Sequence, residues 1–456
     1  MERSESRLCG YVASLNQRVF PVATRHRVTQ ALLDWFTAGA AGASLASSDS
    51  LRQLSQQLFP GEGSSQVFGG AATNPLAAAF CNAGITHLRE IDDAHRTAML
   101  HPGIVAISPA LALSSTIPIS NQRFTAAVVA GYEVAIRAGE ALGGEHSGRF
   151  HATATAGTLG AAAASAVLLG LDATQLHHAI GIAATQAIGL WQFVDDGAHE
   201  SKPLHPAFAV RNGITAAYAA RLGYPGAQSF MTGSRGMRAL LHGDGDISML
   251  DKDLGITDRI SSTTIKPWPT CGQLFTMIGA AHALIDEHSP DPEAIESVDV
   301  SIFPQALRIA KVDWPSKPAE TCFSGRYCLA ILLINGGLSL ADMERPQLDN
   351  PVLLALAARI RITPEPCYAS AFPDRRPATV TITLKNGKVL SAMRDKRQGD
   401  PEAPFNWMQL DARLRDFNPG MHETRATAIA AWCEALQHSP PSARFVEPKA
   451  DLFGAV

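Results

Sequence analysis

Charge is scarce in this sequence. Asp, Glu, Lys and Arg make up 18% of its 456 residues, while 46% are hydrophobic. Such a chain is too apolar to stay disordered, and it implies a large interior or a buried oligomer interface. With 38 basic and 42 acidic residues the net charge is −4. The basic stripe that displaces counterions from nucleic acid is missing, so no nucleic-acid partner is expected. Paired cysteines are missing too. Cys9, Cys81, Cys271, Cys322, Cys328, Cys367 and Cys433 are odd in number, scattered, and form no Cys-x-x-Cys. Neither a disulfide framework nor a zinc knuckle is expected, and a cytoplasmic location fits. The opening Met1-Glu2-Arg3-Ser4 has no apolar run or small-residue cleavage site, so no export signal is expected.

The common phosphate and hydrolase signatures are also absent. There is no Walker A motif, no strand-borne Gly-x-Gly-x-x-Gly, no His-Glu-x-x-His and no Gly-x-Ser-x-Gly. A nucleotide enzyme, a zincin and an α/β-hydrolase are thereby disfavoured. Two uncharged stretches, 102–122 and 152–170, invite a membrane reading. The first contains Pro109 and Pro118, and the second is built from Ala, Gly, Thr and Ser. Buried helices of a soluble protein explain both better, so no membrane partner is expected.

What is present is mostly helical periodicity. Apolar spacing predicts helices over 27–43, 74–83, 103–114, 124–142, 152–169, 173–190 and 208–222, the last stopped by Gly223-Tyr224-Pro225-Gly226. The character changes near Ile260. Strands are expected over 259–265 and 297–303, with helices at 274–287 and 322–334. A hairpin is expected over 378–394, turning at Lys385-Asn386-Gly387, and helices return at 407–416 and 424–436. The fold class is therefore two-domain. A large all-α domain, 1–265, is rejoined by 403–456, and a smaller α+β domain occupies 266–402.

Five polar islands interrupt this background. Asp92-Asp93-Ala94-His95 to His101 gathers carboxylates and imidazoles able to shuttle protons, or it caps a helix. Arg149-Phe150-His151 precedes a helix start that would suit an anion, or it is a surface loop. Lys202, with its backbone restricted by Pro203 and with His205 following, can clamp a carboxylate or act as a base if desolvated. Lys266-Pro267-Trp268-Pro269-Thr270-Cys271 places a thiol at a helix start, where its pKa would fall. Tyr327, near the start of the helix expected at 322–334, can donate to substrate or anchor that helix. Together these islands suggest a cleft for a small polyanion. Asp92, Asp93, His95 and His101 match no standard metal spacing, so no metal is expected.

The order of these motifs resembles the MmgE/PrpD family, which includes 2-methylcitrate dehydratases, cis-aconitate decarboxylases and iminodisuccinate epimerase. The resemblance runs through Asp92-Asp93-x-His95, His101-Pro102-Gly103, Arg149-Phe150-His151, Gly157-Thr158-Leu159-Gly160 and Lys202-Pro203-Leu204-His205. It continues through Arg211-Asn212-Gly213, Lys266-Pro267-Trp268-Pro269-x-Cys271, Phe323-Ser324-x-x-Tyr327 and Gly399-Asp400-Pro401. It implies the family's two-domain fold with its active site in the groove between domains, a homodimer, no organic cofactor and a small polycarboxylate substrate. By matching position it implies active-site roles for Asp93, Thr97, His101, His151, Lys202 and Tyr327, and a further catalytic position at Cys271; from the islands themselves Arg149, His95, His205 and Lys266 are candidate substrate contacts beside Thr97. Ala94 replaces the usual Thr of the Asp-Asp-Thr motif, and Cys271 stands where decarboxylase-like members carry a catalytic His. A Cys facing a Lys or His would supply proton carriers on both faces of one carbon. That favours an epimerase of an iminodisuccinate-like aminopolycarboxylate. The alternatives are a dehydratase of a 2-methylcitrate-like acid, a cis-aconitate-type decarboxylase, and a catalytically inactive scaffold.

Overall fold

The computed structural model describes residues 3–372 and 374–454. Met1 and Glu2, with which the export reading begins, lie outside the described residues, as do Pro373, Ala455 and Val456. The chain divides into two compact units, Met1–Thr264 with Asn406–Val456, and Ile265–Phe405.

The first unit is built from helices: α1 (Ser4–Ser14), α2 (Val22–Ala43), α3 (Ala46–Leu58), α4 (Pro75–His87), α5 (Pro102–Ser114), α6 (Asn121–Ser147), α7 (Ala152–Leu169), α8 (Ala173–Ala184) and α9 (Leu204–Arg221). Helix α7 lies in the core, buried from Ala152 to Leu168. Its small side chains let neighbouring backbones come close. A Cβ at Gly160 would fall 2.7 Å from the Gly131 carbonyl of α6, and one at Gly213 of α9 would fall 2.6 Å from the Ala161 Cβ. Glycine at these points permits helix contact that any side chain would wedge apart. Among the described residues α7 alone is long and apolar enough to cross a membrane, yet 94% of it is buried within the protein.

Several boundaries differ from the periodicity. Helix α4 starts as expected, with Asn74 accepting from the Ala77 N–H and Pro75 following, but it runs beyond Ala83 to His87. Helix α8 is capped by Asp172, in a capping box with Gln175, but stops at Ala184 rather than residue 190. Tertiary pairing takes the remainder: the Gly189 carbonyl accepts from the His151 N–H at 2.9 Å, and Leu190 bridges Phe150. The strand expected over 259–265 is absent. Arg259–Ser262 forms a 3₁₀ turn, because the Arg27 guanidinium takes the carbonyls of Ile260 and Thr263, at 3.2 and 2.7 Å, which a ladder would need.

The second unit carries α10 (Phe275–His288), α11 (Gly325–Asn335) and a four-stranded sheet in the order β2-β1-β3-β4. Its strands are β1 (Ile295–Ile302), β2 (Ile360–Pro364), β3 (Ala378–Leu384) and β4 (Val389–Arg394). The β3–β4 hairpin turns through Gly387 at φ +81°, a conformation that suits glycine. Strand β2 pairs parallel with β1 and was not legible, being five residues long and ending in proline. Val298, Val300, Ile302, Val380 and Ile382 form one core with Met277, Leu284, Leu329 and Leu332 of the helices. The helix expected from Cys322 begins later, because Pro318–Phe323 is a 3₁₀ turn and Ser324 caps α11. Beyond this unit α12 (Trp407–Asp416) and α13 (Glu423–His438) return to the first.

Candidate active site

The segment joining α4 to α5, residues 88–101, has no regular helix or strand and is pinned by buried groups. Asp34 of α2 accepts from the Asp93 N–H at 2.9 Å and pairs with Arg413 of α12 at 2.8 Å. Arg413 also donates to the Ile91 carbonyl at 2.5 Å. The Asp93 carboxyl accepts from the Gly103 N–H at 2.9 Å and from the Tyr132 hydroxyl at 2.8 Å. Burial raises Asp93 to about 7, and the nearby Asp34 adds to the rise against those two hydrogen bonds. Burial likewise lifts Asp34 to about 6, opposed by Arg413. Both Asp93 oxygens are engaged by protein donors, so this carboxyl holds the segment in place. It does not serve as the cap of a helix start at residues 94–97.

Asp92 does different work. It accepts from Nδ1 of His87, the last residue of α4, at 3.1 and 3.2 Å, and from Nδ1 of His101 at 2.8 Å. Nδ1 of His101 also lies 2.9 Å from the Asp93 carbonyl. Surrounded by acceptors, both Nδ1 atoms carry the proton, which leaves Nε2 of each ring for the site. Burial would raise Asp92, but the positive charges and hydrogen bonds of His101 and His87 outweigh it and hold the carboxyl well below its usual range.

His151 immediately precedes α7 and is buried, with its ring 5.8 Å from that of His87 and 6.2 Å from that of His101. Its Nδ1 is 3.1 Å from Nδ1 of His205, so the two rings share a single proton. Burial comes first, the ammonium of Lys202 adds to it, and the neighbouring imidazoles of His87, His101 and His205 further oppose a charge, holding His151 well below the usual imidazole range. Burial with His87 and Lys202 brings His205 to about 4. Both rings are therefore neutral at pH 7.

The Lys202 ammonium is ion-paired with Glu90 and lies 5.9 Å from the Trp191 ring centroid, and that ring sits 4.8 Å from His151. Glu90 also approaches Nε2 of His87 at 3.3 Å and Nε2 of His101 at 4.0 Å. Its backbone φ of +57° is rare for a side chain without a local hydrogen-bonding role. The side chains of Glu90, Lys202 and His101 keep 23, 15 and 12% exposure, while His87 keeps none. The cluster is thus reachable at one rim and floored by His87 and His151.

Thr97, His95 and Arg149 make other contacts within the first unit. Thr97 donates to Glu140 at 2.8 Å. His95 is buried, its Nδ1 accepting from the Ala98 N–H at 3.2 Å and its Nε2 bonding Ser262 at 2.9 Å. Both brace the segment and are not part of the imidazole group. Arg149 is exposed and sits 3.7 Å from Glu145. Lys266, Cys271 and Tyr327 belong to the second unit. Lys266 is buried. Cys271 is half-buried, and its N–H donates to the Cys322 carbonyl at 2.9 Å just before the turn Gly272–Leu274. Tyr327 is buried and gives its hydroxyl to the Asp342 carbonyl at 2.5 Å, the anchoring alternative for this residue.

His87, Glu90 and Trp191 were not singled out from the sequence. His87 ends a helix whose periodicity reads as plain core, and Glu90 looks like an ordinary surface carboxylate. Only the doubled Asp92-Asp93 nearby hinted that a charged group would face them. Of the side chains able to hold a metal, His87, His101 and His151 each offer a nitrogen within 4.8 Å of the others. This is not the set weighed from spacing, because Asp93 and His95 are committed to the scaffold.

Two family models cover most of the chain: the MmgE/PrpD N-terminal domain over residues 6–250 and the MmgE/PrpD C-terminal domain over residues 268–436. The chain is 28% identical over 453 residues to a cis-aconitate decarboxylase-like protein, oryM, of Aspergillus oryzae, covering 90% of each chain. It is 27% identical over 357 residues to the cis-aconitate decarboxylase of Mus musculus, covering 75% of this chain and 71% of that protein. With the human cis-aconitate decarboxylase it shares 25% identity over 354 residues, 75% of this chain and 72% of the relative. Matched through both domains, the chain belongs to the MmgE/PrpD family.

Proposed function

We propose that this protein is a lyase that removes carbon dioxide from a small unsaturated tricarboxylate of the cis-aconitate type. The observation that carries this reading is the single buried carboxylate of Asp92 orienting two imidazoles, set beside the cation of Lys202 and the neutral ring of His151. The names of the relatives support a lyase over the epimerase expected from Cys271.

The chemistry suits the group. In cis-aconitate one carboxylate sits on a methylene next to the double bond. As its C–C bond breaks, that electron pair forms a new terminal double bond. The old π pair moves to the carbon beside the distal carboxylate, giving an enediolate-like anion. One proton delivered to that carbon yields methylenesuccinate. Lys202 binds a substrate carboxylate and offsets the developing charge. His101, paired with Asp92 through Nδ1, delivers the proton from Nε2. His151 is kept neutral by its surroundings and hydrogen-bonds the substrate. His101 thus takes the acid role and the neutral ring of His151 the hydrogen-bonding one. In this assignment His101 takes the proton-donor part that the resemblance gave to a His at position 271.

Proton NMR of the purified protein in deuterium oxide tests the reading, with cis-aconitate, 2-methylcitrate, citrate and iminodisuccinate supplied separately. Terminal methylene signals from cis-aconitate, with one deuterium on the saturated carbon beside the distal carboxylate, are expected. Alkene formed from a hydroxy acid would move the protein to the dehydratase branch. α-Deuteration of iminodisuccinate with stereoisomer interconversion would restore the epimerase.

A further inference from the structure

We propose that His87, His101 and His151 form a binding site for a divalent transition-metal ion of the zinc type, and that the ion blocks turnover. The inhibition rests on the reading of this cluster as the substrate's seat; the binding does not. Their donor nitrogens lie within 4.8 Å of one another, so each ring need move inward by less than ~1 Å to reach Zn–N bonds of ~2.0–2.1 Å. The second observation is the tautomer. Asp92 accepts from Nδ1 of both His87 and His101, and the Asp93 carbonyl accepts from Nδ1 of His101 as well. A carboxylate behind a ring nitrogen is how proteins orient a metal-binding imidazole, and here one carboxylate orients two.

The third observation is an orphan. Nε2 of His87 is fully buried and makes no hydrogen bond, with Glu90 3.3 Å away. A buried polar atom without a hydrogen-bond partner calls for a ligand. Local charge permits a cation. With the imidazoles neutral, the bordering groups are Asp92 and Glu90, both negative, and Lys202, positive, which sum to −1 before an ion arrives. Three imidazoles leave a fourth position open to water or to a carboxylate. An ion held there takes the lone pairs of His87, His101 and His151, so neither proton transfer by His101 nor hydrogen bonding by His151 can proceed.

Cobalt(II) titrated into the chelator-stripped full-length protein, without substrate, tests the site. A ligand-field absorption band saturating at one equivalent is expected, displaced by zinc. His151→Gln and His101→Gln abolish the band, while His422→Gln, at an exposed histidine, leaves it unchanged. Asp92→Asn, which removes only the orienting carboxylate, weakens binding by about 10–100-fold. Circular dichroism of each variant confirms that it is folded. No band at stoichiometric cobalt, or a band that survives both folded imidazole variants, overturns the site. Turnover of cis-aconitate is expected to stop at one equivalent of zinc and to return on chelation. A band without inhibition would leave the metal site standing and overturn the blockade, pointing to a substrate seat elsewhere. Absence of any turnover, with the band intact, would count against the proposed reaction alone.

Discussion

The ammonium of Lys202 is ion-paired with the carboxylate of Glu90, 112 residues earlier in the chain. Glu90 thereby occupies the cation that a substrate carboxylate needs, and it does so from a backbone with positive φ. An incoming carboxylate must displace or share this partner. Glu90→Gln removes the competing charge and keeps a hydrogen-bonding group. KM for cis-aconitate is expected to fall about tenfold, equivalent to ~1.4 kcal/mol, with kcat changed far less. Steady-state kinetics decide; a raised KM would show that Glu90 helps to hold the substrate.

Asp92 carries two imidazoles, so its loss disturbs both. Asp92→Asn still fills the space but presents a neutral amide, which no longer stabilises an imidazolium. kcat is expected to fall about 100-fold with a smaller change in KM. Kinetics that leave kcat within twofold of wild type would remove His101 from the proton-transfer step.

The pH profile follows from the imidazole pair. Burial, the Lys202 ammonium and the neighbouring imidazoles hold His151 well below its usual range, and His205 titrates at about 4. Both rings stay neutral as pH falls through the usual imidazole range. The acid limb of kcat/KM for cis-aconitate is therefore expected below pH 6.5. An acid limb at 6.5 or above would contradict the assigned protonation state of His151.

Asp93 ties stability to pH with a definite sign. Its pKa is raised to about 7 in the folded protein, above the ~3.9 of an unfolded Asp. Between these values the folded state binds the extra proton, so this group's contribution is full below pH ~4 and is lost as pH rises to about 7. Asp93→Asn has no such cost. The melting temperature of the variant relative to wild type is expected to rise between pH 5 and pH 8, as followed by calorimetry. A constant difference would mean that Asp93 is ionised throughout.

Much of this was legible because the signals were local. Helix α7 and helix α12 match their periodicity end for end, since a Gly170 stop and an Asn406 cap lie in the sequence itself. The Asn386-Gly387 turn likewise declares the hairpin. What was not legible depends on distant partners. Residues 185–190 abandon the helical pattern because Gly189 is needed by His151, and 259–262 abandon the strand because Arg27 takes their carbonyls. At the site His101, His151, Lys202 and His205 were visible as polar islands. His87 was hidden in an apolar helix and Glu90 in a loop, because their meaning lies in what they face. Arg149, by contrast, had a persuasive local setting and turned out to lie exposed beside Glu145.

A crystal structure with tricarballylate, the saturated analogue that lacks the double bond needed to lose carbon dioxide, tests the central claim most directly. One ligand carboxylate is expected on Lys202 Nζ in place of Glu90, with Nε2 of His101 and His151 within hydrogen-bonding distance of the same molecule. A ligand bound away from these residues, with the Lys202–Glu90 pair intact, would contradict the account.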